Sequence, residues 1–469
     1  MKSKKPLPLL LNVELFDIGH EGVAVGKVDE MVVFVEDAVP GDIVNAQVLK
    51  KKKKYMEAKA TEIVKPSPFR EIPFCEHFGT CGGCKWQHLS YAKQLHFKQH
   101  QVEQTLKRIS GLHVPELLPI LGSKETRFYR NKLEYTFSEK RWLTKEEILQ
   151  DIDFSSQPAL GFHIPGRFDK VLDIRNCYLQ PDPSNAIRLE VRNYATSHDL
   201  SFFNIKEQHG FLRNLLIRNS TTGELMVVLV VFEDRKEEIH RLLNHLKTTF
   251  QAITSLFYIV NTKRNDSISD QEPILFYGND HILEKMEGLN FKISPKSFYQ
   301  TNSLQAYELY KVTRTFADIK PHEIVYDLYT GTGTIANFVA HQAKKVVGIE
   351  YVEDAIKDAL LNSTLNDIKN TSFYAGDIKD VLSNELIEKE GRADVIITDP
   401  PRAGMHEDVV KKIIEIRPER IVYVSCNPAT QARDLQLMSE NYEIKKVQPV
   451  DMFPHTYHLE NIVLLIRKP

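Results

Sequence analysis

Residues 323–340 read EIVYDLYTGTGTIANFVA: a β-branched and aromatic run, an acid near its end, a glycine turn, then a helical pattern. The same order returns in KKVVGIEYVEDAIKDALLN (344–362), TSFYAGDI (371–378), ADVIITDPPR (393–402) and RIVYVSCNP (420–428). Strands that alternate with helices predict a doubly wound parallel sheet, an α/β fold. Such sheets hold their ligands beyond the carboxyl ends of the strands, so residues at those ends are the first candidates for function.

A glycine turn alone is a weak signal. Here Glu350 follows Gly331 by 19 residues, at the end of the next strand, the spacing at which an acid reaches ribose hydroxyls. The GTGT loop is too short for a dinucleotide pyrophosphate. With acids at the strand ends Asp327, Glu350, Asp377 and Asp399 it fits S-adenosylmethionine better.

Cys426 stands at another strand end, where Asn427-Pro428 stops the strand and starts a helix. A solitary cysteine is often only a small buried hydrophobe. Beside a methyl donor it has a chemical use: carbon 5 of uracil is a poor nucleophile until a thiolate adds to carbon 6. The strand end and helix start are expected to activate the thiol. The hydrogen on carbon 5 must then pass to a base. Glu460 in HTYHLENIVLL (455–465), just ahead of a last apolar strand, is the candidate, although an acid there can also be a plain surface charge.

At 469 residues the chain is too long for one core and should divide into about two to four domains. With 42% hydrophobic and 26% charged residues it has the composition of an ordinary globular protein. The opening MKSKKPLPLLLNVELF imitates a signal peptide, but its apolar run is short and broken by Asn12 and Glu14. A cytoplasmic protein with no membrane span is expected. The net charge of -2 gives no global sign of a nucleic-acid partner, so any such footprint must be local.

Five cysteines in a reducing compartment are not expected to form disulfides. Cys75, Cys81 and Cys84 crowd into CEHFGTCGGC (75–84), Cys177 lies far off in RNCYL (175–179), and Cys426 is the fifth. Crowded thiolates repel unless oxidised or bound to a metal. Zinc ribbons usually supply two short Cys-x-x-Cys pairs, so this spacing is closer to an iron–sulfur pattern, with zinc or no metal left open.

Residues 11 to 64 carry short β-rich runs, MVVFVEDA (31–38) and GDIVNAQVLK (41–50), punctuated by turns, which predicts a small OB-type barrel. Lys50 to Lys54 with Tyr55 fall on one of its hairpins, suited to phosphate and base contact, though such runs are often just solvated. KPSPFREIP (65–73) reads as a linker, SYAKQLHFKQHQVEQTLKRI (90–109) as a helix and GELMVVLVVF (223–232) as a strand. RFYRNKLEYTF (127–137) mixes Arg127, Arg130 and Lys132 with Phe128, Tyr129 and Tyr135. That mixture suits stacking on unpaired bases, or else marks an amphipathic strand with a charged outer face.

Taken together, the sequence resembles the S-adenosylmethionine-dependent RNA uracil-5 methyltransferases, specifically the 23S rRNA branch with an N-terminal TRAM barrel and a 4Fe-4S cluster. The resemblance spans nearly the whole chain. It rests on CEHFGTCGGC with Cys177, HGFLRNLLIRNSTTGELMVVL, ISPKSFYQTN, DLYTGTG, DPPRAG, YVSCNPAT and HTYHLENIVLL. It implies a TRAM barrel over residues 1–66, a central α+β iron–sulfur and RNA-binding domain over 67–280, and a Rossmann-like class I methyltransferase domain over 281–469. It makes Cys426 the nucleophile and Glu460 the base, sets Gln300, Tyr329, Glu350 and Asp399 around the methyl donor, and gives the cluster to Cys75, Cys81, Cys84 and Cys177.

The implied substrate is a uridine in RNA, with 23S rRNA ahead of tRNA because tRNA-specific relatives usually lack both barrel and cluster; a monomer is expected. Two positions depart from the family pattern: Thr330 where Cys is frequent, and Thr334 where some members carry a donor-binding Asn. The DPPR motif lacks the cysteine of RNA cytosine-5 methyltransferases, and Arg402 replaces the aromatic with which amino methyltransferases hold an exocyclic amine. No N-terminal dinucleotide fingerprint of the flavin-dependent uracil methylases is present. The alternative of a different class is a non-catalytic iron–sulfur RNA-binding protein, against which the intact Cys426, Asp399 and Glu460 set speaks.

Overall fold

The structure is a computed structural model that describes residues 7–149 and 157–469; the first six residues of the lysine-rich opening lie outside it. Its C-terminal part is built on a seven-stranded sheet. The strand order is Thr371–Ala375, Lys345–Glu350, Ile324–Leu328, Val395–Thr398, Arg420–Ser425, Glu460–Arg467 and Tyr442–Val450. The first five run parallel, and the apolar runs of the four inside the edge strand Thr371–Ala375 are buried on both faces, as a sheet covered by helices requires. The predicted α/β sheet is therefore present.

The last two strands change the geometry. Glu460–Arg467 inserts between Arg420–Ser425 and Tyr442–Val450 and is antiparallel to both. Ser425 pairs with Asn461, so Cys426, one step beyond the end of its strand, and Glu460, at the start of its own, share the same edge of the sheet. Leu328 pairs with both Ile349 and Thr398, which brings Tyr329, Glu350 and Asp399 to that edge as well.

The N-terminal barrel is also found. Leu9–Ile18, Ala24–Val28, Met31–Glu36, Tyr55–Lys65 and Ile43–Lys51 close around Val13, Ala24, Val33, Val44 and Ala58. The centre of the chain is a second seven-stranded sheet, mostly antiparallel, with the helices Ser184–Ser197 and Lys236–Thr249 in its core. Among the described residues no helix is long and apolar enough to cross a membrane.

The helix Tyr91–Thr105 ties these parts together. Its Val102, with Leu106, enters the core of the C-terminal sheet, and Leu117 and Leu121 bridge to Val447 and Val450 on that sheet's edge strand. On the same helix, the fully buried Lys98 forms an ion pair with the fully buried Asp451 at 2.6 Å, and Tyr91 Oη donates to the other Asp451 oxygen at 2.8 Å. Burying two charges roughly cancels their attraction, but removing one partner strands the other without water. Asp451→Ala is accordingly expected to destabilise the fold by about 3–5 kcal/mol. The double variant Lys98→Met/Asp451→Leu should recover much of that loss, as read from urea-unfolding midpoints.

Candidate active site

The glycine turn is fixed by close packing. Gly333 has φ +74°, and a Cβ there would stand 2.8 Å from Ala359 Cβ, so no other residue fits. Buried Asp327, on the strand before the turn, accepts a hydrogen bond from Thr330 Oγ1 at 2.5 Å and one from Ala336 N at 3.0 Å. Thr330, the departure noted in the sequence, thus supplies a hydroxyl that the carboxyl uses. Glu350 accepts from Gly331 N at 3.2 Å and from Val352 N at 3.0 Å, so the acid at the end of the adjacent strand holds the glycine loop. Tyr329 is half-buried and left-handed at φ +63°, a strained backbone for a tyrosine, and strain of this kind collects at functional sites. Burial pushes its hydroxyl up to about 12.

Asp399 ends the next strand, with its N–H on Leu328 O at 3.3 Å. The loop beyond it is locked at Gly404, whose φ is +78° and whose added Cβ would meet Arg433 and Asp434 at 2.7 Å. Asn427 Nδ2 and Thr430 Oγ1 both donate to Arg402 O, at 3.0 and 3.2 Å, so the DPPR loop and the Cys426 turn move as one piece. Asn427 also caps the helix Pro428–Met438 through Ala429 N.

Three carboxyls meet here. Burial, more than Glu350's charge, raises Asp327 to about 7. Burial and then the charge of Asp327 raise Asp399 to about 7. Glu460 lies well above the usual carboxylate range, through burial first and Asp399 second, with Arg402 opposing. Among the described residues nothing hydrogen-bonds Glu460 Oε2, a buried acceptor of the kind left open at sites of chemistry. Cys426 is half-buried, and its thiol is pushed up to about 11 by burial, then by Glu460 and Asp399, against the pull of Arg402. The expected activation by a helix start is therefore overruled, first by burial of the thiol and then by carboxyls from distant segments.

Gln300 is buried on a segment pinned from two sides. Asn131 Nδ2 donates to Gln300 O at 2.8 Å, and Asn302 Nδ2 donates to Met452 O at 3.0 Å. Sequence reading passed over three members of this site. Arg402 was noted only as a replacement, yet its charge acts on Cys426, Glu460 and His458. Asn131 could have been found as a lone amide inside an amphipathic strand. Tyr310, a buried hydroxyl kept neutral by burial and by Asp399, Glu460 and Asp327, looks in the sequence like any core position of its helix.

Cys75, Cys81, Cys84 and Cys177 line one cavity of about 400 Å³, together with Phe74 and Arg130. Burial pushes the Cys81 and Cys84 thiols up to about 12 and raises Cys75 and Cys177 as well. Among the described residues, however, no three His, Cys, Asp or Glu side chains close on a single metal ion. The cysteine loop reaches the active site directly: Lys85 N and Trp86 N both donate to His455 O, at 2.8 and 3.0 Å, five residues before Glu460.

The basic and aromatic stretches are sorted by burial. Tyr129 and Tyr135 are core residues, which removes them from any stacking surface and leaves Phe128 exposed. On the barrel, Lys50 pairs with Glu57 at 3.1 Å and Tyr55 packs edge-on to Phe34, while Lys51 to Lys54 stay in solvent.

Comparison with known proteins gives the following. Residues 211–468 match the family model for tRNA (uracil-5-)-methyltransferase, and residues 11–61 match the TRAM domain. An uncharacterized RNA methyltransferase of Bacteroides thetaiotaomicron is 59% identical, over 95% of this chain and 99% of its own. One from Chlorobaculum tepidum is 39% identical, over 98% and 96% respectively. Among solved structures, the Pyrococcus abyssi tRNA (uracil-54, C5)-methyltransferase in complex with S-adenosyl-L-homocysteine superposes with a TM-score of 0.75 at 28% identity, covering 97% of this chain and 100% of that one.

The raised thiol has a direct consequence. A free thiol is half-ionised near pH 8.5 and its alkylation rate levels off about one unit above that, but Cys426 should keep gaining rate about tenfold per pH unit up to about 11. Iodoacetamide labelling of the free protein, mapped to the Cys426 peptide, checks this; a plateau already reached by about pH 9.5 would contradict it.

Proposed function

The chain belongs to the tRNA (uracil-5-)-methyltransferase family, and on that premise we propose that it moves a methyl group from S-adenosylmethionine to carbon 5 of a uridine in RNA, through a covalent bond between Cys426 and the ring. One observation carries the reading: antiparallel pairing of Ser425 with Asn461 sets a cysteine and a buried, underbonded carboxyl side by side on the edge where such sheets bind ligands.

In this mechanism the Cys426 thiolate adds to carbon 6 of the uracil. The electron pair of the carbon 5–carbon 6 double bond becomes an enolate, and carbon 5 takes the methyl group from the sulfonium. Glu460 then removes the hydrogen from carbon 5, the double bond re-forms, and the thiolate leaves. Glu350, Tyr329, Asp399 and Gln300 would hold the donor. Arg402 offsets the carboxyls around the thiol.

We propose that Cys75, Cys81, Cys84 and Cys177, which line one cavity, hold a 4Fe-4S cluster, on their spacing in the sequence and the motif resemblance. Methyl transfer needs no electron, so the cluster's contribution is to bind the Cys177 segment to the 75–84 loop. Asn185 already holds Cys177 from behind, through Cys177 N at 2.8 Å and Cys177 O at 3.1 Å.

For the RNA we propose 23S rRNA, on the motif resemblance. tRNA is the second reading, favoured by the Pyrococcus abyssi protein, which matches 97% of this chain and acts on tRNA. Barrel and central sheet therefore do not separate the two. Mapping 5-methyluridine in both RNAs from a strain without the gene decides between them.

Changing Glu460 to Gln removes the base but leaves addition and methyl transfer available. The variant should accumulate a methylated RNA adduct at Cys426 that survives denaturing electrophoresis, and Cys426→Ala should give none. Normal turnover by Glu460→Gln would overturn the assignment. Anaerobically purified protein should carry about four irons and four sulfides, and Cys177→Ser should lose them; stoichiometric zinc without sulfide would exclude the cluster.

A further inference from the structure

Phe128 is 47% exposed, and its backbone is left-handed at φ +55°. A bulky residue in that conformation is costly and persists only where its surroundings impose it. They do so here. Phe128 N donates to Tyr178 O at 2.8 Å and Arg130 N to Leu179 O at 2.7 Å, so the segment is laced to the residues just after Cys177. From the other side Tyr129 Oη donates to Pro454 O at 3.1 Å, and the Arg130 guanidinium lies 5.7 Å from the Phe453 ring. The segment thus bridges the cysteine cavity and the loop leading to Glu460, while the Phe128 ring faces solvent.

That ring does not stand alone. It lies 6.1 Å from the Tyr178 ring, which meets Phe74 edge-on at 5.6 Å, and the exposed Arg127 guanidinium caps Phe74 at 3.9 Å. An aromatic face beside a guanidinium is the pairing that takes an unpaired base on the ring and its phosphate on the cation. We propose that Phe128, flanked by Tyr178 and Arg127, is a stacking platform for an unpaired nucleotide near the target uridine in the RNA. This rests on the RNA reading above and adds a subsite to it. Tyr129 and Tyr135 are buried and cannot take this role.

The backbone conformation makes the test clean, because Phe128→Gly removes the ring while relieving the strain. With bulk RNA from a strain lacking the enzyme, Phe128→Gly should raise the KM for RNA roughly fivefold to a hundredfold, the range for losing one stacked base. The KM for S-adenosylmethionine should stay unchanged, the thermal midpoint should hold or rise, and Phe128→Tyr should match the wild type. In a second measurement, a uridine-containing RNA decamer with 2-aminopurine placed one to three positions from the uridine should be quenched by the wild type and not by Phe128→Gly. An unchanged RNA KM, or equal quenching by both proteins, overturns the platform. Failure of the wild type to methylate bulk RNA would instead sink the functional reading, and the quenching measurement would still decide the platform.

Discussion

Antiparallel insertion of the last strand is the constraint on which the site depends. In a wholly parallel sheet only carboxyl ends reach the ligand edge, so a residue at the start of a strand would lie on the opposite side of the molecule. Glu460 is at the start of its strand. It reaches the edge occupied by Tyr329, Asp399 and Cys426 because Glu460–Arg467 runs against Arg420–Ser425. The chain must therefore carry residues 451–459 along that edge without a ladder of their own, and every polar atom there needs a partner from elsewhere.

Those partners come from segments remote in sequence. Lys98 takes Asp451 and Phe453 O, while Gln94 Oε1 accepts from His455 N at 2.8 Å. His455, held left-handed at φ +64°, receives both Lys85 N and Trp86 N on its carbonyl, and its ring meets Phe74 edge-on at 5.0 Å. Trp86 in turn donates Nε1 to Gly22 O of the barrel at 2.9 Å. Barrel, cysteine loop and helix Tyr91–Thr105 thus converge on the loop that delivers one carboxyl. The cysteine loop, the barrel and the sheet are joined by hydrogen bonds through the loop that delivers Glu460.

This organisation explains what sequence could and could not disclose. Periodicity exposed the parallel strands, because a strand buried on both faces must be apolar throughout, and punctuation by acids, glycines and Cys426 marked the ligand edge. Strand direction leaves no such trace: NIVLL after Glu460 would read the same in either orientation. The Lys98–Asp451 contact spans 353 positions and carries no local signature. The thiol was misjudged for a related reason. A helix start can be read nearby in the chain, whereas the burial that raises Cys426, and the Glu460 and Asp399 that add to it, arise only through the fold. Phe128, Tyr129 and Tyr135 look alike as letters, and only packing separates one exposed ring from two buried ones.

The same carboxyls give the proposed reaction its order. Asp399 and Asp327 sit near 7, and Glu460 lies well above the usual carboxylate range, because a poorly hydrated site resists several negative charges at once. A cation brought there relieves that resistance, so binding a sulfonium and ionising these groups are linked, each favouring the other. Donor binding would draw the Cys426 thiol toward thiolate and Glu460 toward its basic form together, before carbon 6 is attacked. In the proposed reaction, transfer of the methyl to carbon 5 would remove the sulfonium's positive charge from the site. The proton affinity of Glu460 would then rise at the step in which, on this reading, it accepts the hydrogen from carbon 5. A base exposed to water would miss this change, which is a physical reason for Glu460 to be buried despite what burial does to its neighbour's thiol.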